Sequence, residues 1–249
     1  MVREYLKSYS SRLGREMEAL VFGQAGIPVM VFPTSTGRFY EFEDQGMVQA
    51  LAGKIEAGQI QIFCVDSVNQ ESWYNQRISP RQRIARHLQY EEYLIDEVVT
   101  LIHRRTNERE SRPARRDYHG YRSIVALGCS FGGYHAANIA FRHPEIFGEM
   151  ISLSGAFDLS TFLCNYRDQD CYYNLPTYYL PNLSDPWYLE RFRHGRYVLA
   201  TGWDDQCLKQ NQQMDRILNE KQIPHQLYVW KAQNTHDWPT WQRMAAEYL

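Results

Sequence analysis

Residues 121–143 read YRSIVALGCSFGGYHAANIAFRH and contain the pattern that decides the fold. The apolar run 121–127 predicts a buried strand, and the small and apolar residues of 131–143 predict a helix. Between them, residues 128–132 fit G-x-S-x-G with Ser130 at the centre. A strand-turn-helix with this pattern is typical of a serine nucleophile on a strained turn. Strand and helix approach closely there, so the positions two before and two after the serine need glycine.

A serine alone is a weak nucleophile, so the chain must also supply a base and an acid. On a fold with this turn they follow in the order serine, acid, histidine, each after a later strand. The predicted strand 196–201 is followed by two aspartates, and the predicted strand 225–230 is followed by His236. We therefore predict His236 as the base. The alternative for the whole motif is a glycine-rich turn with an incidental serine.

The acid is ambiguous because Asp204 and Asp205 are adjacent and point in different directions. We predict Asp205, since G-x-x-D is the usual form of this loop, and Asp204 remains the alternative. The carboxylate that is not the acid is expected to cap the helix that starts near residue 206. Asp237 is predicted to cap the last helix, with Pro239 in its first turn.

Acyl transfer also needs N–H donors for the oxyanion that develops during the reaction. We predict the N–H of Phe131, directly after the serine, as one donor. The second is predicted to be the N–H of Ser35, in the loop after the apolar strand 28–33. The alternative for Ser35 is a polar turn that merely leads into a helix.

Along the rest of the chain, short apolar runs alternate with helical patterns, as in a mostly parallel sheet with crossover helices. The predicted strands are 4–11, 16–23, 28–33, 60–65, 121–127, 148–154, 196–201 and 225–230, and the predicted helices are 46–56, 80–104, 131–143, 206–222 and 237–249. The first two strands are expected to form an antiparallel hairpin that turns at Gly14. We predict one α/β domain over 1–249, with a central sheet of about eight strands flanked by helices.

The region 158–194 breaks this alternation and is too long for an ordinary connection, so we interpret it as a small cap-like excursion. Its tyrosines and Trp187 favour either an aromatic wall for an acyl or aryl group or rings that simply pack on the core. Trp203 and Trp238 flank the predicted acid and base and are expected to shield them from water. The histidines other than His236 are interpreted as structural or solvated.

Composition excludes several classes of protein. The 249 residues carry a net charge of −2, without the basic surplus expected of a nucleic-acid or membrane partner. No stretch is apolar over the length needed to span a membrane, so a cytoplasmic protein is expected. The five cysteines are scattered without metal-ligand spacing, which favours free thiols and predicts no metal or cofactor. A bridge between Cys164 and Cys171 in an oxidising setting is the alternative.

Five segments resemble the esterase branch of the α/β-hydrolases, the group that includes esterase D and S-formylglutathione hydrolase. They are SSRLGREMEALVF (10–22), PVMVFPTSTG (28–37), GCSFGGYHAANIAFRHPEIFGEMISLSGAFD (128–158), TGWDD (201–205) and THDWPTW (235–241). The resemblance implies the α/β-hydrolase fold, a triad of Ser130, Asp205 and His236, and backbone donors at Ser35 and Phe131. The loop after strand 28–33 departs from the family, since it reads FPTSTG where many members carry an HGxG-like sequence.

These observations predict a serine esterase that hydrolyses a small-molecule carboxylic ester or thioester through an acyl-enzyme, without a cofactor. One alternative is an acyltransferase that uses the same three residues. The other is an inactive binding module, in which Ser130 and His236 would lie far apart or the pocket would be packed shut. The sequence does not decide the acyl group or the oligomeric state, and a homo-oligomer stays open.

Overall fold

The computed structural model describes residues 1–107, 123–231 and 235–249. Within these ranges eight strands form one sheet in the order β1-β2-β4-β3-β5-β6-β7-β8. The strands are β1 (Arg3–Ser10), β2 (Arg15–Phe22), β3 (Ile27–Phe32), β4 (Ile60–Val65), β5 (Val125–Cys129), β6 (Glu149–Leu153), β7 (Arg196–Gly202) and β8 (Gln226–Trp230). β1 and β2 form the predicted antiparallel hairpin, β2 pairs antiparallel with β4, and the remaining neighbours pair in parallel. The predicted α/β fold with a mostly parallel sheet is confirmed.

Helices cover both faces of the sheet. They are α1 (Glu41–Asp44), α2 (Met47–Ala50), α3 (Ala52–Glu56), α4 (Pro80–Tyr93), α5 (Thr100–Asn107), α6 (Phe131–Arg142), α7 (Ser160–Leu163), α8 (Gln169–Tyr173), α9 (Pro176–Tyr179), α10 (Pro186–Arg193), α11 (Leu208–Glu220) and α12 (Trp238–Tyr248). A π-helical segment, Leu94–Val99, joins α4 to α5, and a 3₁₀ turn, Leu180–Asn182, follows α9. None of the helices among the described residues is long and apolar enough to cross a membrane.

Alternation along β3 shows how the two halves of the core arise. Met30 and Phe32 belong to the apolar cluster that includes α4, α6 and α11, whereas Val29 and Val31 belong to the cluster that includes α2, α3 and α12. All four side chains are almost fully buried. A strand with both faces covered must be apolar throughout, because successive side chains point to opposite faces.

Most predicted elements are found within two residues of their observed ends, and the exceptions have local causes. The predicted helix 46–56 is found as two short helices, because Gly46 has a left-handed φ of 71° and Leu51 interrupts the helical geometry between α2 and α3. The predicted helix 80–104 continues to Asn107 through the π-helical segment. The predicted strand 121–127 begins at Val125, and residues 121 and 122 lie outside the described residues.

The excursion 158–194 consists largely of short helices, α7 to α10, where no helix is predicted. It is attached to α6 by polar contacts. The Tyr134 hydroxyl donates to the carbonyl oxygen of Asn174 over 3.0 Å, and Arg142 Nη1 donates to the carbonyl of Tyr173 over 2.9 Å. All five cysteines are free thiols, as predicted, and four of them are buried.

A buried charge cluster fastens α4 to the carboxyl end of α6. Glu91 accepts from Arg142 Nε at 2.8 and 2.9 Å and from His143 Nε2 at 2.7 Å. Burial lowers the pKa of His143, but hydrogen bonds with Glu145 and Glu91 outweigh burial and raise it to about 9. Burial also raises the pKa of Glu91, while His143 and Arg142 outweigh burial and lower it to about 2.

We expect Glu91→Gln to lower the free energy of unfolding by about 3 kcal/mol, because it removes the buried carboxylate that pairs with Arg142 and His143. The raised pKa makes the contribution of His143 complete below about pH 6.5 and lost as pH rises through about 9. The lowered pKa makes the contribution of Glu91 complete above about pH 4.5 and lost as pH falls through about 2. Urea unfolding across this range should therefore show the largest difference from wild type between these two limits.

Glu190 gives a matched control, because it also pairs with an arginine and a histidine but is exposed. Glu190→Gln should change the free energy of unfolding far less than Glu91→Gln does, because an exposed ion pair is screened by solvent. If both substitutions changed the free energy of unfolding equally, burial would not strengthen the ion pairs of Glu91.

Candidate active site

The candidate nucleophile lies on a strained turn between β5 and α6. Ser130 has φ 54° and ψ −119°, a left-handed backbone that is costly for a residue with a side chain. Its N–H donates to the carbonyl of Leu153 over 2.8 Å, and its carbonyl accepts from the N–H of Ala156 over 3.0 Å. These bonds tie the turn to the end of β6 and hold it in this conformation.

The glycines on either side of Ser130 allow the close approach that the turn requires. A Cβ on Gly132 would stand 2.5 Å from the carbonyl oxygen of Phe32 and 2.8 Å from that of Pro33. A Cβ on Gly128 would collide with the carbonyl of Gly132. The glycine requirement predicted at both positions is therefore confirmed, and the first turn of α6 lies directly against the end of β3.

Three predicted site residues meet at the carboxyl edge of the sheet. His236 Nε2 lies 3.1 Å from Ser130 Oγ, and His236 Nδ1 lies 2.9 Å from Asp205 Oδ1. The serine follows β5, the aspartate follows β7, and the histidine lies between β8 and α12. Because parallel strands bring their carboxyl ends to one edge, residues far apart in sequence form one continuous hydrogen-bonded chain.

Asp205 is held as an acceptor for His236. Its side chain is fully buried, and Oδ1 also accepts from the N–H of Cys207 over 2.7 Å. Burial raises the pKa of Asp205, but hydrogen bonds from His236, Ser154 and the Cys207 N–H outweigh burial and hold this pKa below its ordinary value. The carboxylate therefore stays ionised beside the imidazole at neutral pH.

Asp204 points elsewhere, so only one of the two adjacent carboxylates faces the imidazole. Asp204 accepts from the N–H of Thr235 over 3.3 Å and from the Thr235 hydroxyl. The expectation that it caps the next helix is wrong, because α11 begins at Leu208 without a side-chain cap. Asp237 does cap α12, as predicted, through a 2.9 Å bond from the N–H of Thr240.

The ring that covers the imidazole is Trp241, which was not predicted. It packs edge-on against His236 with ring centroids 5.0 Å apart, and Trp238 packs against Trp241 at the same distance. Trp241 Nε1 also donates to Ser154 Oγ over 2.9 Å. Trp203 is 55% exposed, so the expectation that it shields the site is wrong. Trp241 lies three residues after Trp238 on one predicted helix, so the sequence could have indicated that both rings lie on the same face of that helix.

The two predicted backbone donors lie on neighbouring segments. Ser35 is in a turn closed by a 3.0 Å bond from the Gly37 N–H to the Thr34 carbonyl, directly after β3. Phe131 is the first residue of α6, which lies against the end of β3. Within the described part of the chain, neither the Ser35 N–H nor the Phe131 N–H donates to another protein group. Both are therefore available to an incoming oxygen atom.

Three aromatic rings pack together beside the start of α6. The centroid of Tyr74 lies 5.2 Å from that of Phe131 and 4.9 Å from that of Phe162, and the latter two are 5.7 Å apart. Tyr74 is half-buried, and burial raises its pKa. Sequence reasoning missed this group, although an aromatic pair soon after β4 falls at the same edge of the sheet as the other site residues.

Three tyrosines of the excursion lie at the other end of α6. Tyr173, Tyr179 and Tyr188 line a cavity of about 530 Å³ together with Arg142 and His143. Because a helix rises 1.5 Å per residue, this end of α6 is about 17 Å from Phe131. This position supports the interpretation that these rings pack on the core, rather than form a wall at Ser130.

One group of residues has atoms close enough to be considered as metal ligands in the part of the chain that the structure describes: Asp205, Cys207 and His236. Burial raises the pKa of the Cys207 thiol to about 12. A protonated thiol is a poor ligand, and the imidazole already hydrogen-bonds with Asp205 and Ser130. The chemistry of this group therefore fits a hydrogen-bonded chain better than a metal centre.

A family model described as "Putative esterase" matches residues 10–248. Comparison with curated proteins gives no match. Among solved structures, a ferulic acid esterase is similar at 16% identity and a TM-score of 0.75, over 100% of this chain and 96% of that chain. An S-formylglutathione hydrolase from Agrobacterium tumefaciens is similar at 16% identity and a TM-score of 0.74, over 99% and 92%. One from Staphylococcus aureus is similar at 12% identity and a TM-score of 0.65, over 99% and 94%.

At these identities the likeness to the solved structures shows the fold, and the match to the family model shows the family. The two agree over nearly the whole chain. The protein therefore belongs to the Esterase family and has the α/β-hydrolase fold.

Proposed function

We propose that this esterase hydrolyses a small-molecule carboxylic ester or thioester through an acyl-enzyme on Ser130. The observation that carries the proposal is the continuous chain from Ser130 Oγ through His236 to the ionised Asp205, at 3.1 and 2.9 Å. In an inactive binding module, Ser130 and His236 would be expected to lie far apart. The contact between their side chains therefore favours an enzyme.

In the proposed reaction, His236 Nε2 takes the proton of Ser130 as Oγ attacks the substrate carbonyl carbon. The tetrahedral intermediate collapses, the bond from the carbonyl carbon to the leaving oxygen or sulfur breaks, and His236 protonates the leaving alcohol or thiol. Water then attacks the acyl-enzyme, with His236 as base, and releases the acid and free Ser130. Asp205 orients the imidazole and stabilises its protonated form.

The oxyanion is proposed to bind to the N–H groups of Phe131 and Ser35. Such donors supply much of the acceleration in acyl transfer, because they are fixed in place before charge develops. The start of α6 adds the positive end of a helix dipole at the same point. The open N–H groups and the contact between α6 and β3 support this assignment.

Two substrate classes follow from the names of the structural neighbours, an aromatic acyl ester and the thioester S-formylglutathione. The rings of Tyr74, Phe131 and Phe162 beside the candidate nucleophile favour a compact apolar or aryl acyl group. Five free thiols support a reducing compartment such as the cytoplasm as the place of action. We propose hydrolysis, with water as acceptor, and acyl transfer to an added alcohol would appear as a second product.

Ser130→Ala should lower turnover by about four orders of magnitude without unfolding the protein, because it removes the nucleophile but no core packing. The measurement is labelling with a fluorophosphonate probe, read by peptide mass spectrometry, together with hydrolysis of p-nitrophenyl acetate, methyl ferulate and S-formylglutathione. Wild type should label at Ser130, whereas Ser130→Ala and His236→Ala should not. Labelling at another serine would overturn the assignment.

Asp205→Asn should lower kcat by about four orders of magnitude, because an amide at this position favours the wrong imidazole tautomer. Asp204→Asn is the matched control, since it changes the adjacent carboxylate, which contacts Thr235 rather than His236. It should keep kcat within about tenfold of wild type. A larger loss in Asp204→Asn than in Asp205→Asn would reverse the assignment of the acid.

A further inference from the structure

The turn that carries Ser35 is held from the side by a buried amide. Asn69 Nδ2 donates to the carbonyl oxygen of Ser35 over 2.7 Å, and Asn69 Oδ1 lies 2.8 Å from His135 Nε2. Asn69 is 1% exposed and His135 is 3% exposed. Neither residue contacts the candidate nucleophile, and the sequence assigns no role at the site to either one.

The directions of these hydrogen bonds are fixed by chemistry. The Ser35 carbonyl can only accept, so Asn69 must turn its NH₂ group towards it and its carbonyl oxygen towards His135. His135 must then carry a proton on Nε2 and donate it to that oxygen. Burial, with the nearby His87, holds the pKa of His135 well below its ordinary value, so the ring is the neutral Nε2–H tautomer.

This arrangement fixes both peptide planes on either side of the Ser35 α-carbon. The plane before it contains the Thr34 carbonyl, which accepts from the Gly37 N–H, so the Ser35 N–H points away from the turn. The plane after it contains the Ser35 carbonyl, which Asn69 holds. With both planes fixed, the direction of the Ser35 N–H has little freedom.

His135 connects the same turn to the second backbone donor. It lies four residues after Phe131 on α6, and therefore on the same face of that helix. Its ring packs against Phe131 at 5.2 Å and against Phe32 at the end of β3 at 5.8 Å. One chain of contacts thus runs from the Ser35 turn through Asn69 and His135 to the start of α6.

We propose that Asn69 and His135 are positioning residues, which hold the Ser35 N–H in register with the Phe131 N–H so that both reach one oxyanion. The inference rests on the proposed function. A displacement of about 1 Å in such a group costs about 100-fold in rate, because the donor then misses the charge that develops in the transition state. Ground-state binding depends far less on this donor, so KM should change little.

Asn69→Asp is the sharpest test, because a carboxylate still accepts from His135 but repels the Ser35 carbonyl. We expect kcat for the best ester in the panel to fall about 100-fold, with KM within about threefold of wild type. Affinity for a trifluoromethyl ketone, whose adduct with serine carries a tetrahedral oxyanion, should fall in parallel with kcat. Gln70→Ala is the matched control, since Gln70 is exposed and donates to the next carbonyl of the turn over 3.3 Å. It should leave kcat within about threefold of wild type.

A second pair of variants covers the case in which Asn69→Asp does not fold. His135→Gln keeps an N–H donor for Asn69 and should retain at least about a third of wild-type kcat, whereas His135→Leu removes the donor and should lose about 100-fold. If wild type hydrolyses the ester but folded Asn69→Asp or His135→Leu keeps its kcat and ketone affinity, the positioning proposal is wrong and the proposed function stands. If wild type neither hydrolyses any ester nor labels at Ser130, the proposed function itself fails.

Discussion

The contact of Gly132 with the end of β3 is the constraint on which the rest of the site depends. Backbone meets backbone there, at a separation that leaves no room for a Cβ. A side chain at this position would push α6 away from β3 and separate the N–H of Phe131 from that of Ser35. It would also shift Ser130 relative to His236, which belongs to a different part of the sheet edge. A strained residue such as Ser130 persists only where the surrounding structure over-determines it, and the bonds to Leu153 and Ala156 do so.

A site assembled from the loops after several strands needs links between those loops, because each loop alone is the more mobile part of the chain. The structure supplies such links with side-chain hydrogen bonds, and Thr235, Ser154 and Trp241 among their partners are buried. The Thr235 N–H and hydroxyl donate to Asp204 and tie the histidine loop to the loop after β7. Trp241 Nε1 donates to Ser154 and ties α12 to the end of β6. Trp241 and Ser154 are both buried, and in a low-dielectric interior such a bond is strong and costly to leave unmade, so it favours one arrangement of these elements.

The order of strands and helices could be read from the sequence, because apolar periodicity and helix-capping residues are local signals. Ser130, Asp205 and His236 could be named because each follows a strand, and the parallel topology carries them to one edge. The same local reasoning failed where the answer depends on neighbours in space. Adjacency does not tell which of two aspartates faces an imidazole, so the partner of Asp204 was missed. The hydrogen bond from the Asn69 amide to Ser35 depends on the loops after β3 and β4 lying side by side, and no local sequence signal indicates that.

The departure of the PTSTG loop from the glycine-rich form common in the family has a physical counterpart in its tethers. None of residues 34–37, all of them described, has a positive φ, so the turn does not use the conformational freedom of glycine. Gly37 serves instead to make room, since a Cβ there would collide with the carboxylate of Glu41. That carboxylate accepts from the N–H and the hydroxyl of Thr34 at 2.8 Å each and holds one end of the turn, while Asn69 holds its middle. A turn of ordinary backbone geometry can thus present a free N–H if side chains from two directions fix it. In this chain, side-chain hydrogen bonds therefore fix the direction of the N–H in the turn, whereas in a glycine-rich loop the backbone conformation fixes it.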